Sequence, residues 1–183
     1  MATKRRLTSK PDDPEAARQY ATWLLSGRPR TSYELREAML SKGFDAEVID
    51  EVLARFHDVG MIDDATFARM WVDSRHRVRG LSRRALAAEL RRKGVEDEAV
   101  QAAVDEVTPE SEWEAARAIA ERRFRSMSHL SETVIMRRLV GTLGRKGYGP
   151  SVAIGVVKEL LAEADSPLAD EVDADQFIDP DQG

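Results

Sequence analysis

The dipeptide Lys-Gly occurs three times in this chain, at Lys42-Gly43, Lys93-Gly94 and Lys146-Gly147, with its glycines 51 and 53 residues apart. Around each copy the apolar residues fall into the same columns. Eight residues before the glycine stands Leu35, Leu86 or Leu139, four before it Met39, Leu90 or Leu143, and one after it Phe44, Val95 or Tyr148. Self-similarity at this period means that one structural unit is written three times, which restricts the fold more than any composition value. Glycine tolerates the left-handed conformation that ends a helix, and a lysine beside it suits the negative end of the helix dipole. The apolar residue after each glycine is expected to fold back onto the helix before it.

Helix starts are written between these stops. Asp13-Pro14 pairs a capping carboxylate with proline at the first helical position, and Ala17, Tyr20, Ala21, Leu24 and Leu25 then form one apolar face. Thr31 and Glu34 make a capping box for a second helix, and Asp45 caps a third that carries Val48, Ile49, Val52, Leu53 and Phe56 inward. The scheme repeats from Asp63 and Asp64, through Ser82, and again from Thr108-Pro109. In the middle copy the first helix is expected to bury a face made of Phe67, Met70, Trp71, Ser74 and Val78. The expected fold is all-α: an elongated tandem array of three three-helix, helix-turn-helix-like repeats at residues 14–60, 61–107 and 108–162. A basic arm (residues 1–13) and an acidic tail (residues 163–183) are expected to be disordered.

Charge separates these parts. The chain holds 28 Lys and Arg against 33 Asp and Glu, a net charge of −5. Between Arg69 and Lys93 nine basic residues face only Asp73 and Glu89, so this stretch carries +7 within an acidic chain. Residues 163–183 hold eight acidic side chains and no basic one. There is no cysteine, which excludes disulfides and thiolate metal sites. No apolar run follows the basic N-terminus and none approaches the length of a membrane span, so a cytoplasmic protein without a membrane partner is expected.

Residues that could carry chemistry are few. Asp63 and Asp64 read as caps, with no third ligand at metal spacing. His57, His76 and His129 are scattered, and Gly141, Gly144, Gly147 and Gly149 match no nucleotide fingerprint. Trp71 sits at core spacing rather than as an offered stacking ring. No nucleophile–base pair stands out, so no enzyme, cofactor or metal is expected. Binding is expected of a basic stripe instead. Arg75, Arg77, Arg79, Arg83 and Arg84 surround the helix junction at Gly80, and Arg91, Arg92 and Lys93 close the next helix. At that second place cations also serve simply as dipole compensation. Arg122, Arg123, Arg137 and Arg138 belong to a further cluster with Arg117 and Arg125.

The run Ile62-Asp63-Asp64, Phe67-Ala68, Trp71-Val72, Arg75, Gly80, Leu86, Glu89-Leu90 and Lys93-Gly94 resembles the signature of the RecX family. Arg30, Ser32, Glu34-Leu35 and Lys42-Gly43 before it, and Leu139 with Lys146-Gly147-Tyr148 after it, agree over residues 14–162. The resemblance implies tandem three-helix repeats and regulation, usually inhibition, of the RecA recombinase in DNA repair and recombination. It implies a protein lodged in the groove of the RecA filament on DNA, opposing filament growth, strand exchange and the coupled ATP hydrolysis. The partners expected are the RecA filament and, weakly or within it, single-stranded DNA, with the protein acting as a monomer. Whether the basic stripe meets DNA phosphate or an acidic filament surface stays open. A helix-turn-helix-like module that binds DNA without RecA, and a helical adaptor for an acidic protein, are the competing readings.

Overall fold

A computed structural model describes Thr8, residues 10–127 and residues 129–164. The disorder expected of the acidic tail beyond residue 164, and of most of the basic arm, lies outside the described residues. Those residues form nine α-helices and no strand: α1 (Pro14–Gly27), α2 (Ser32–Lys42), α3 (Ala46–Asp58), α4 (Asp64–Arg79), α5 (Arg83–Arg92), α6 (Asp97–Asp105), α7 (Pro109–Phe124), α8 (Glu132–Arg145) and α9 (Pro150–Glu163).

The caps explain why the helices begin where they do. The Asp13 carboxylate accepts from the Glu15 and Ala16 amides ahead of Pro14. Thr31 and Glu34 form the reciprocal capping box of α2. Asp63 accepts from the Thr66 amide at 2.9 Å, while Asp64 reaches the Ser32 amide at 2.9 Å and so ties α4 to the start of α2. Ser82 accepts from the Ala85 amide at 3.2 Å and Thr108 from the Ser111 amide at 3.1 Å. Asp45 stands at the N-cap of α3 but makes no side-chain cap bond; its amide donates to the Pro11 carbonyl at 2.9 Å.

The three Lys-Gly turns close in one way. Gly43, Gly94 and Gly147 take φ of 95°, 73° and 91°, values that side-chain-bearing residues avoid. The amides of Phe44, Val95 and Tyr148 each donate at 3.2 Å to the carbonyl of Met39, Leu90 or Leu143 five residues earlier, which is the longer bond of a Schellman turn. All three apolar side chains are buried, folded back as their position after the glycine implies.

Packing divides the chain into two compact units. The first comprises Met1–Trp71 and Glu89–Ala103, the second Val72–Ala88 and Val104–Gly183. The division passes through α4 and α5, so the middle sequence repeat is shared between them. In the first unit α1, α2 and α3 enclose Ala17, Ala21, Leu35, Met39, Ile49, Val52 and Phe56. In the second, α7, α8 and α9 enclose Ala116, Ala120, Met136, Leu139, Leu143, Tyr148, Val156 and Val157. Ala116 and Ala120 leave room for close approach of α7, and the glycine at 155 admits the Trp113 ring where a Cβ would stand 2.5 Å from it.

The apolar face expected for α4 is rotated. Phe67, Ala68 and Val72 are buried, whereas Met70 and Val78 are 60% and 76% exposed. Ala68 and Val72 stand four residues apart on the stripe next to the one that Met70, Ser74 and Val78 follow, and spacing alone does not choose between adjacent stripes.

Candidate interaction surface at the turn between α4 and α5

The turn at Gly80 lies in the second unit and is held on several sides. Gly80 has φ of 57°, a backbone conformation that favours glycine, and a Cβ there would stand 2.6 Å from Ile119 Cδ1, the end of a side chain that would have to shift. Nδ1 of His76 lies 2.9 Å from the Leu81 carbonyl and Nε2 lies 3.0 Å from Ser111 Oγ. Because a carbonyl only accepts, Nδ1 carries a proton, and the Ser111 hydroxyl serves as the partner of Nε2. The Tyr148 hydroxyl donates to the Gly80 carbonyl at 3.1 Å and the Lys146 ammonium to the Arg79 carbonyl. Burial, with the negative charge of Glu112 added, pushes the Tyr148 phenol well above its ordinary range, so it stays a donor. The Ser82 amide donates to the Lys146 carbonyl at 3.1 Å, and the Arg83 amide to Glu112 Oε1 at 2.8 Å. The Arg79, Gly80 and Leu81 carbonyls and the Gly80, Ser82 and Arg83 amides are thereby engaged, so the turn is held by hydrogen bonds on several sides.

Around this fixed turn the guanidinium groups differ in availability. Arg79 and Arg84 are exposed, and Arg75 is partly exposed on the same side of α4 as Arg79, one helical turn away. Arg83 is half-buried and ion-paired with Asp105. Arg77 is exposed and meets Asp73 at 3.5 Å, a surface pair that costs little to exchange. Arg122 and Arg123 stand exposed at the end of α7, and Arg137 and Arg138 are exposed on α8. Arg117 is different: it meets Glu121 at 2.9 Å, Glu159 at 3.4 Å and Glu163 at 2.6 Å, and its bond to Glu163 raises its already high pKa. Its charge staples α7 to α9.

The remaining cations belong to the first unit. Arg91 and Arg92 are exposed, Arg91 pairing with Asp97 at 2.7 Å. Lys93 is held inside. Its ammonium lies 2.8 Å from Glu34 and 4.3 Å from the Trp71 ring centroid, with only 17% of the side chain exposed. Thr31 Oγ1 donates to the Lys93 carbonyl at 2.6 Å. The Trp71 indole donates to Glu89 at 2.9 Å and stacks on Phe67, so both faces of its role are internal. Burial on its own raises the Glu34 carboxyl, but bonds from Arg28, Lys93 and the Thr31 amide outweigh it and hold the group below the ordinary glutamate value.

Sequence reasoning did not find the partners that fix the Gly80 turn: His76, Glu112, Lys146 and Tyr148. The repeated Lys-Gly columns mark the last two, but only as a helix end and its fold-back residue, not as partners of the Gly80 turn. Among the described residues no group of three His, Asp or Glu side chains is arranged to hold a metal, and no helix is long and apolar enough to cross a membrane.

Comparison with known proteins covers nearly all of the helical region. Models of the first, second and third three-helix domains of RecX match residues 17–56, 63–104 and 110–156. The Regulatory protein RecX of Amycolatopsis mediterranei (strain U-32) is 47% identical over 150 residues, covering 81% of this chain and 86% of that protein. The protein of the same description from Streptomyces coelicolor is 46% identical over 154 residues, covering 84% and 82%. The crystal structure of RecX from Lactobacillus salivarius superposes with a TM-score of 0.75 at 22% identity, over 81% of this chain and 97% of that one, which speaks to the fold.

Proposed function

The chain belongs to the RecX family, and we propose that it is a non-catalytic, cytoplasmic modulator of RecA. It binds the groove of the RecA–DNA filament as a monomer and suppresses filament growth, strand exchange and ATP hydrolysis. Regulation of RecA is what membership in the family implies. The observation that supports the choice of surface is the Gly80 turn, where Arg79 and Arg84 stand exposed beside backbone fixed from several directions. A backbone already tied down adds no ordering cost of its own on binding, and guanidinium groups suit phosphate and carboxylate alike. Arg75, Arg77, Arg83, Arg91, Arg92, Arg122, Arg123, Arg137 and Arg138 extend this basic character within their own units. Lys93, with its ammonium shared between Glu34 and Trp71, contributes to folding first.

The test adds the protein to RecA, single-stranded DNA and ATP. ATPase and strand exchange should fall at stoichiometric protein, and binding to DNA alone should be much weaker than binding to the filament. Unchanged rates would end the proposal. Tight binding to naked single strands, falling with salt by about 0.7 log units per log unit of salt for each phosphate neutralised, would favour a DNA-binding module that works without RecA.

A further inference from the structure

The three Lys-Gly turns share one more feature, and the first of them satisfies it differently. The lysine carbonyl of each accepts a hydrogen bond from a segment far upstream. At Lys93 the donor is the Thr31 hydroxyl at 2.6 Å, and at Lys146 it is the Ser82 amide at 3.1 Å. Thr31 and Ser82 are the N-caps of the second helix of the preceding repeat, and each is sealed by the contact, at 0% and 1% exposure. The contact is close: a Cβ on Gly94 would stand 2.3 Å from the Tyr33 side chain, and one on Gly147 would stand 2.4 Å from Ser82 Oγ. Each repeat thus docks its Lys-Gly turn onto the helix start of the repeat before it.

In the first repeat the Lys42 carbonyl accepts instead from the Thr8 amide at 2.7 Å, and the Asp45 amide just beyond donates to the Pro11 carbonyl at 2.9 Å. Thr8 and Pro11 thus take the place that the helix start of another repeat takes at Lys93 and Lys146. At the opposite end of the pattern, Ser131 is the N-cap of α8 and the counterpart of Thr31 and Ser82. It makes no side-chain cap bond and is exposed. One mating pair therefore has its slot filled by a stand-in and its insert bare.

We propose that Thr8 and Pro11 plug a docking slot at Lys42-Gly43, and that the slot, once open, takes the start of α8, at Ser131, from a second copy of this chain. The occupant is inferred from the fold itself, which makes this joint twice and carries one unused half of it at each terminal repeat. Repeat arrays need modified ends because an unmodified end accepts another array. The contact is heterologous, so chains with both halves open would add head to tail.

The experiment uses full-length variants. Thr8→Pro removes the donor N–H, and Pro11→Gly in the same chain loosens the second contact. Opening is read by hydrogen exchange at the Asp45 amide, and association by sedimentation equilibrium. Faster exchange at Asp45 together with a concentration-dependent rise in mean mass, to at least twice that of the wild type, is expected. Adding Ser131→Arg, at a position exposed in the single chain but without room in the joint, should return the variant to monomer. Mixing that triple variant with wild type should give a 1:1 dimer and nothing larger, because each chain then offers only one half. An open slot with monomeric mass would overturn the proposal. So would unchanged Asp45 exchange, since the arm would then not be held by these bonds, and so would association that survives Ser131→Arg.

Discussion

Gly147→Ala tests the clasp at the Gly80 turn at a single atom. Gly147 has φ of 91°, and an added Cβ would meet Ser82 Oγ at 2.4 Å, Ala85 Cβ at 2.6 Å and the Ala85 backbone nitrogen at 3.1 Å. Ser82 cannot simply rotate away, because its hydroxyl caps α5 through the Ala85 amide. The left-handed backbone costs a non-glycine residue about 1–2 kcal/mol, and forcing atoms into a filled site costs about 1–3 kcal/mol more, giving about 2–5 kcal/mol in all. For a chain of this length that corresponds to a fall in Tm of roughly 5–20 °C, followed by far-UV circular dichroism. Gly144→Ala is the internal control. It lies three residues earlier within α8, with nothing within 4 Å of its added Cβ, and alanine should stabilise the helix by up to about 1 kcal/mol. The two substitutions should move Tm in opposite directions. Equal Tm for Gly147→Ala and wild type would refute the packing described here.

Leu86→Ala, at a position with no exposure, should cost about 2–5 kcal/mol in urea unfolding, and a loss below 1 kcal/mol would mean the site is not core. Arg79→Glu with Arg84→Glu should leave Tm within about 1–2 °C of wild type, since both side chains are exposed, while weakening inhibition of the RecA ATPase at least tenfold. Arg83 is left out of that variant because a glutamate there would face Asp105 and Glu112. The Glu34 carboxyl is held below its ordinary value near 4.5, so its contribution to stability is present in full above that pH and is lost as pH falls through the lower folded value. Glu34→Gln should therefore flatten the acid limb of the stability–pH curve, and an unchanged limb would place the sensitivity elsewhere. Lys93→Met should lower Tm rather than filament affinity, and the reverse would show that its ammonium works outside the fold.

The helical array was legible because it rests on local rules. The Leu35, Leu86 and Leu139 column, the glycine stops and the Thr31–Glu34 box each specify structure within a few residues of themselves. The orientation of α4 was not legible, since the stripe through Met70, Ser74 and Val78 and the neighbouring one through Ala68 and Val72 both follow four-residue steps, and only the packed neighbours choose. The basic stripe was legible as charge and not as availability. Counting placed Lys93 and Arg117 beside Arg79 and Arg84, yet Lys93 is engaged by Glu34 and Trp71, and Arg117 by Glu159 and Glu163, all remote in sequence. The role of Thr8 was hidden for the same reason, because its partner is the carbonyl of Lys42 and backbone groups carry no sequence mark.

The most direct measurement is equilibrium binding of fluorescently labelled protein to RecA filaments assembled on single-stranded DNA, compared between wild type and the Arg79→Glu, Arg84→Glu variant. Wild type should bind the filament far more tightly than the same DNA without RecA, and the folded variant should lose at least tenfold of that affinity. Equal affinity of the two proteins for the filament would show that the Gly80 turn is not the contact, and equal affinity of wild type for filament and bare DNA would contradict a RecA-directed role altogether.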